Sequence, residues 1–141
     1  MRYMGLDFGA HTVGVAVSDT TALIATGVET IRRSRESALR KTFARIRELC
    51  ETMQIDAIVL GLPLNMDGTS GERAEKTVAF KEELERKLAL PVFLQDERLT
   101  SVEAEDIMKQ NGIKPDAYKT YVDMIAAEVI LQDFLNERRG N

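Results

Sequence analysis

Apolar residues alternate with small or polar ones on both sides of one short turn. Near residue 36 the repeat then changes from two to about 3.6. That change constrains the fold most. Met4, Leu6 and Phe8 share one face of a segment over 2–8, and Val13, Val15 and Val17 share one face over 13–17. The residues between, Gly9-Ala10-His11-Thr12, suit a short turn, so the spacing predicts a β-hairpin. A third strand is expected over 24–32, around Ile24, Val28 and Ile31. Leu39, Phe43, Ile46, Cys50 and Met53 then follow helical spacing over 36–53. Cys50 falls on that stripe and reads as core, not as a reactive thiol.

The pattern continues as βα alternation. Residues 56–61 form a short, nearly continuous apolar run, typical of a strand covered on both faces. Residues 61–71 are rich in turn formers. A helix is expected over 72–88, with Ala74, Val78, Leu84 and Leu88, and a strand over 92–94. Thr100 and Glu103 have capping-box spacing, and Asn111-Gly112 is a helix stop. After a break at 112–116 comes a last helix over 117–137, with Val122, Ile125, Ala126, Val129, Ile130 and Phe134. Three strands followed by βα units imply an α/β fold. Its five-stranded mixed sheet should be antiparallel early and parallel late, with helices on both faces. The 141 residues fit one domain, 1–141, without repeat, linker or low-complexity tract.

The apolar runs are too short to span a bilayer, and the first residues lack a signal-peptide core. One cysteine excludes an internal disulfide. A cytoplasmic protein without membrane contact is expected. The net charge of −4 speaks against a broadly basic nucleic-acid surface. It hides an asymmetry, however. From 32 to 47 the chain carries Arg32, Arg33, Arg35, Arg40, Lys41, Arg45 and Arg47 against Glu36 alone. A basic patch beside an acidic pocket suits a metal-assisted enzyme acting on a polyanion, with Arg40 and Lys41 as candidate contacts. The alternative is a solvated helix face.

Three acids have neighbours that are wrong for them. Asp7 lies inside the first strand, on a face it shares with Gly5 and Gly9, where bulk is missing and a ligand can approach. Glu97 follows the strand at 92–94, and the carboxyl edge of parallel strands is where open α/β sheets place ligands. It has a longer reach than Asp96 and points to the other face. Asp123 shares a helix face with Ala127, Ile130 and Phe134, so its carboxylate should be partly buried. The plainer readings are a strand-end aspartate, a polar loop before a helix, and an aspartate paired with Lys119.

If the three acids converge, their repulsion calls for a cation. Oxygen ligands without a histidine cluster suit Mg²⁺ or Mn²⁺, and two such ions can clamp the oxygens of a phosphodiester. His11 stands alone in a turn and reads as surface. The loop at 61–71 offers backbone N–H groups to a phosphate, with Asn65, Ser70 and Arg73 in support. It lacks the ending of a P-loop.

Met4-Gly5-Leu6-Asp7-Phe8-Gly9 with Gly14-Val15-Ala16-Val17-Ser18-Asp19 resembles the opening of the YqgF family of Holliday-junction-resolvase-like proteins. The resemblance continues in Val59-Leu60-Gly61-Leu62-Pro63-Leu64-Asn65-Met66-Asp67-Gly68, in Asp96-Glu97-Arg98-Leu99-Thr100 and in Asp123-Met124-Ile125-Ala126-Ala127. The blocks occur in family order and span nearly the whole chain. The resemblance implies a ribonuclease H-like fold and a nuclease, either processing the 5′ end of precursor 16S ribosomal RNA or resolving branched DNA, as a monomer or homodimer. It puts the family's acidic positions on Asp7, Glu97 and Asp123, and adds Arg98 to the candidate substrate contacts. Where the family commonly has Thr-Lys-Arg, this chain has Ala10-His11-Thr12, so two basic groups are missing from that turn.

Two other function classes compete. Gly-x-Asp-x-Gly before a hairpin also resembles the phosphate loop of actin-like ATPases, which need two such domains. A non-catalytic RNA- or ribosome-binding protein is the other, and the altered turn is its best support.

Overall fold

The computed structural model describes all residues except Met66, Arg98, Leu99, Gly140 and Asn141, with Thr100 and Ser101 described by backbone only. The elements are β1 (Tyr3–Phe8), β2 (Thr12–Ser18), β3 (Ala25–Arg32), α1 (Arg40–Thr52), β4 (Ala57–Leu62), α2 (Glu72–Leu88), β5 (Val92–Asp96), α3 (Thr100–Gln110), a 3-10 turn (Pro115–Ala117) and α4 (Tyr118–Arg139). The sheet runs β3-β2-β1-β4-β5. β1 pairs antiparallel with β2 and parallel with β4, and β4 pairs parallel with β5. The expected mixed sheet is therefore present, with β1 at its centre.

Alternation along each strand separates two apolar layers. Met4, Leu6 and Phe8 join Val13, Val15, Ile58 and Leu60 in a core with Phe43 and Ile46 of α1 and Phe80 and Leu84 of α2. Tyr3, Ala16, Ala57 and Val59 face the other way, against Ala127, Ile130, Leu131 and Phe134 of α4. A third cluster, Ala104, Met108, Ile125 and Ala126, fixes α3 to α4. Burying a side chain of this size contributes about 1.5–3 kcal/mol.

Three expectations need correction. The helix expected from 36 starts at Arg40. Residues 33–38 form bends and turns instead, held by Ala38 N–H to Arg35 O at 3.1 Å and Leu39 N–H to Ser37 O at 3.0 Å. β5 runs two residues further than expected, because Gly61 and Leu62 of β4 stay paired with Gln95 and Asp96. Val78, expected on the buried stripe of α2, is exposed, and Thr77 and Phe80 are buried in its place. Cys50 is buried, and burial pushes its thiol up to about 11, so it is inert as expected. The helix stop at Gly112 is also present. Its φ of 73° is in the left-handed region, and Ile113 N–H reaches Met108 O at 2.9 Å. The side chain of Thr100, and with it the proposed capping box, lies outside the described residues.

Candidate active site at the carboxyl end of the sheet

The carboxyl ends of β1, β4 and β5 lie at one edge of the sheet. Asp7 is the penultimate residue of β1, and its side chain lies on the α4 side, opposite to Leu6 and Phe8. Glu97 directly follows β5, and its N–H donates to Leu62 O at 3.2 Å. Its carboxyl group bends back over Gly61. A Cβ built there would stand 2.9 Å from both Glu97 Cδ and Oε2, and 2.5 Å from Ile130 Cδ1. A side chain at 61 would push Glu97 away.

Asp7 and Glu97 share a side-chain hydrogen bond. The two carboxyl groups are close enough for the ionisation of one to oppose that of the other. Both pKa values are raised, chiefly by burial. For Asp7, pushed up to about 6, the next cause is the charge of Asp123; for Glu97, pushed up to about 9, it is the charge of Asp7. Arg73 acts on both in the opposite direction.

Asp123 is brought close by its backbone. Asp7 pairs with Gly14 of β2, and a Cβ on Gly14 would lie 1.8 Å from Asp123 O. The start of α4 thus rests directly on β2 beside Asp7. The three acids do not close into one ligand set, since among the described residues no group of three potential ligands is near enough to hold one ion. Asp7 and Glu97 form the inner pair, and Asp123 acts on it through its charge. The pair suits a hard divalent cation in one respect. Burial and the neighbouring negative charge both oppose ionisation here, and a cation would offset them.

The other candidates divide. Arg73, in the first turn of α2, belongs to the site. Its guanidinium carbon lies 4.6 Å from the centre of the Phe8 ring, and Nη1 donates to Glu36 Oε1 at 3.0 Å. Asn65 is exposed and committed to its own loop, donating from Nδ2 to Thr69 Oγ1 at 3.0 Å. Leu64 and Ser70 bridge across that loop. Arg40 and Lys41 open α1 as exposed residues, and neither is among the groups that shift Asp7 or Glu97. Arg98 lies outside the described residues. His11 is exposed, as expected.

Sequence reasoning missed Arg33 as a site residue. Its guanidinium carbon stands 5.1 Å from the Phe8 ring centre, Nη2 donates to Gly9 O at 2.6 Å, and Nε donates to Glu36 O at 3.1 Å. Among the described residues Arg33 Nη1, Arg73 Nε and Arg73 Nη2 are buried with no hydrogen-bond partner. Leaving a buried donor unmatched costs about 1–3 kcal/mol. The missed glycine, Gly14, did carry a signal, because any hairpin with a short turn at 9–12 sets it opposite Asp7.

The family model described as "RuvX: Holliday junction resolvase" matches residues 1–137. The chain belongs to the RuvX family. A relative from Agathobacter rectalis, named "Putative pre-16S rRNA nuclease", is 51% identical over 136 residues, covering 96% of this chain and 95% of the relative. Relatives of the same name from Lachnospira eligens and Thermoanaerobacter pseudethanolicus are 43% and 40% identical, each alignment covering 99% of both chains. Among solved structures, Thermus thermophilus RuvC is similar with a TM-score of 0.59 at 16% identity, covering 99% of this chain and 97% of that one. The fowlpox virus Holliday junction resolvase follows with a TM-score of 0.54 at 17% identity, covering 98% and 99%. These likenesses establish the ribonuclease H-like fold of this RuvX-family chain.

Proposed function

We propose that the protein is a divalent-metal-dependent nuclease that processes the 5′ end of precursor 16S ribosomal RNA, with Asp7 and Glu97 as its central catalytic carboxylates. The observation that carries this reading is the pairing of two buried carboxyl groups, Asp7 near the end of β1 and Glu97 bent back over Gly61, at the carboxyl edge of a ribonuclease H-like sheet. The near-full-length relatives named for pre-16S rRNA support the substrate. The RuvX description and the T. thermophilus RuvC bound to a Holliday junction support branched DNA as the second reading.

Asp7 and Glu97 would hold Mg²⁺ or Mn²⁺, with Asp123 adding negative charge from α4. When bound, such ions polarise a phosphodiester and make water a better nucleophile. The chain's own part is electrostatic and steric. Deprotonation of Asp7 and Glu97 would ready the pair for a cation. Gly61 and Gly14 leave room for Glu97 and α4 to close on Asp7. Arg73 offsets the charge of the acids and offers its guanidinium to the substrate. Arg40, Lys41, Asn65 and Arg98 are proposed as outer contacts to the nucleic acid. In this reading residues 1–141 act as one ribonuclease H-like domain in the cytoplasm. Among the described residues no helix is long and apolar enough to cross a membrane.

Incubation of the protein with a precursor 16S fragment and with four-way DNA junctions, each with Mn²⁺, Mg²⁺ or EDTA, tests the proposal. Metal-dependent cleavage of the RNA is expected, with a loss of at least 100-fold in Asp7→Asn. Cleavage of junctions alone favours the second reading. Silence on both substrates, or an active D7N variant, rejects the nuclease.

A further inference from the structure

We propose that Arg33 and Arg73 form a seat for a backbone phosphate adjacent to the one cleaved, and that Glu36 is the seat's resident counterion, which the phosphate displaces. The identity of the anion rests on the nuclease reading.

Two guanidinium groups stand over a single ring, 5.1 Å and 4.6 Å from the centre of Phe8. Phe8 is itself locked parallel to Phe80, with ring centres 4.0 Å apart. Like charges do not gather so closely without a reason. Desolvation and then the charge of Arg73 lower the pKa of Arg33. Glu36 Oε1 accepts from Arg73 Nη1 at 3.0 Å and from Lys76 Nζ at 2.9 Å, and Lys76 also pairs with Glu72 at 3.3 Å. Arg33, Arg73 and Lys76 thus stand with Glu36 and Glu72, and Arg73 also feels the charge of Asp7 and Glu97.

The donors are ready as well. Among the described residues Arg33 Nη1, Arg73 Nε and Arg73 Nη2 are buried without partners, and on Arg73 Nε and Nη2 form the fork that grips a phosphate in two-point fashion. Arg73 also sits in the first turn of α2, where the helix dipole favours an anion and no side chain caps the N–H groups. Glu36 differs from the residues it neutralises. It lies on the bends between β3 and α1, about 40% exposed, on neither helix nor strand. The guanidinium groups are held by a stacked ring, while the carboxylate is tethered to a loop and open to water. A phosphate arriving at the sheet edge can therefore draw Arg73 Nη1 from Glu36 and turn the guanidinium so that Nε and Nη2 reach it, while the ring contacts persist. Arg73 reaches both Glu36 and the field of Asp7 and Glu97, which sets the seat next to the reacting position.

The test is anisotropy of a fluorescein-labelled 12-nucleotide RNA with the full chain in EDTA, over a salt series. Arg33→Gln should weaken binding at least fivefold and reduce the log–log salt slope by about one. Glu36→Gln should tighten binding at least threefold; this variant changes an exposed loop residue and keeps the assay decisive if R33Q loses structure. Inorganic phosphate should compete only at far higher concentration than unlabelled RNA. Wild-type affinity and slope in R33Q overturn the seat, as does competition by phosphate on a par with RNA. Unchanged or weaker binding by E36Q overturns the counterion role. Because no cleavage is read, a protein that binds as expected but cuts nothing would fail only the nuclease reading. A protein that cuts normally while R33Q binds like wild type would fail only the seat.

Discussion

Asp7 and Glu97 keep protons in the fold at pH values where the unfolded chain has lost them. A carboxyl group whose pKa is raised on folding stabilises fully below its unfolded value, near 4, and that contribution is lost as pH rises through the folded value. Here the loss runs from about pH 4, through about 6 for Asp7, towards about 9 for Glu97. The metal-free protein should therefore weaken steadily from pH 5 to pH 9. Glu97→Gln, which is neutral without taking up a proton, should stabilise it by roughly 1–3 kcal/mol at pH 8 while removing cleavage. Urea titrations of both proteins at pH 5 and pH 8 check this. An E97Q midpoint equal to or below wild type at pH 8 would show that the pair is not under electrostatic load. This residue-scale tension is expected where function, not stability, has chosen the side chains.

At the scale of elements, α4 meets the sheet through backbone. Gly14→Ala would force its methyl group into Asp123 O, so α4 must lift from β2. A loss of about 1–3 kcal/mol or more is expected from the overpacking, with cleavage falling further than the loss of folded protein explains. Chemical denaturation combined with activity per folded molecule separates the two effects. The period of the sequence revealed these elements well, because alternation and helical spacing report which faces are buried. Asp7 and Glu97 were legible for the same reason, as charges set among glycines or at a strand's end. Arg33 was not. Its function depends on a ring contact with Phe8, twenty-five positions away, and a basic residue in a basic run has no local mark to set it apart. The late start of α1 was hidden too, since Leu39 continues the helical spacing while the backbone before it turns.

For the whole molecule, the acids and the basic cluster stand on either side of one sheet edge. A cation held between Asp7 and Glu97, as proposed, would offset the charge that burial makes costly, so metal binding and folding would be linked. Manganese at millimolar concentration should raise Tm by several degrees at pH 8 and by little at pH 5, where protons compete. D7N and E97Q should lose most of the response. Differential scanning fluorimetry over pH, with and without EDTA, measures it. An equal shift in wild type and both variants would place the ion elsewhere on the surface.

The position of β1 has a mechanical consequence. Asp7 stands on a strand that is laddered to neighbours along both edges, whereas Glu97 hangs from the end of β5, which has a single neighbour, β4. The two halves of the pair therefore differ in stiffness. One is an anvil fixed in the middle of the molecule, and the other is a jaw at its rim, so the adjustments needed to grip and release a polymer fall on the glutamate's side.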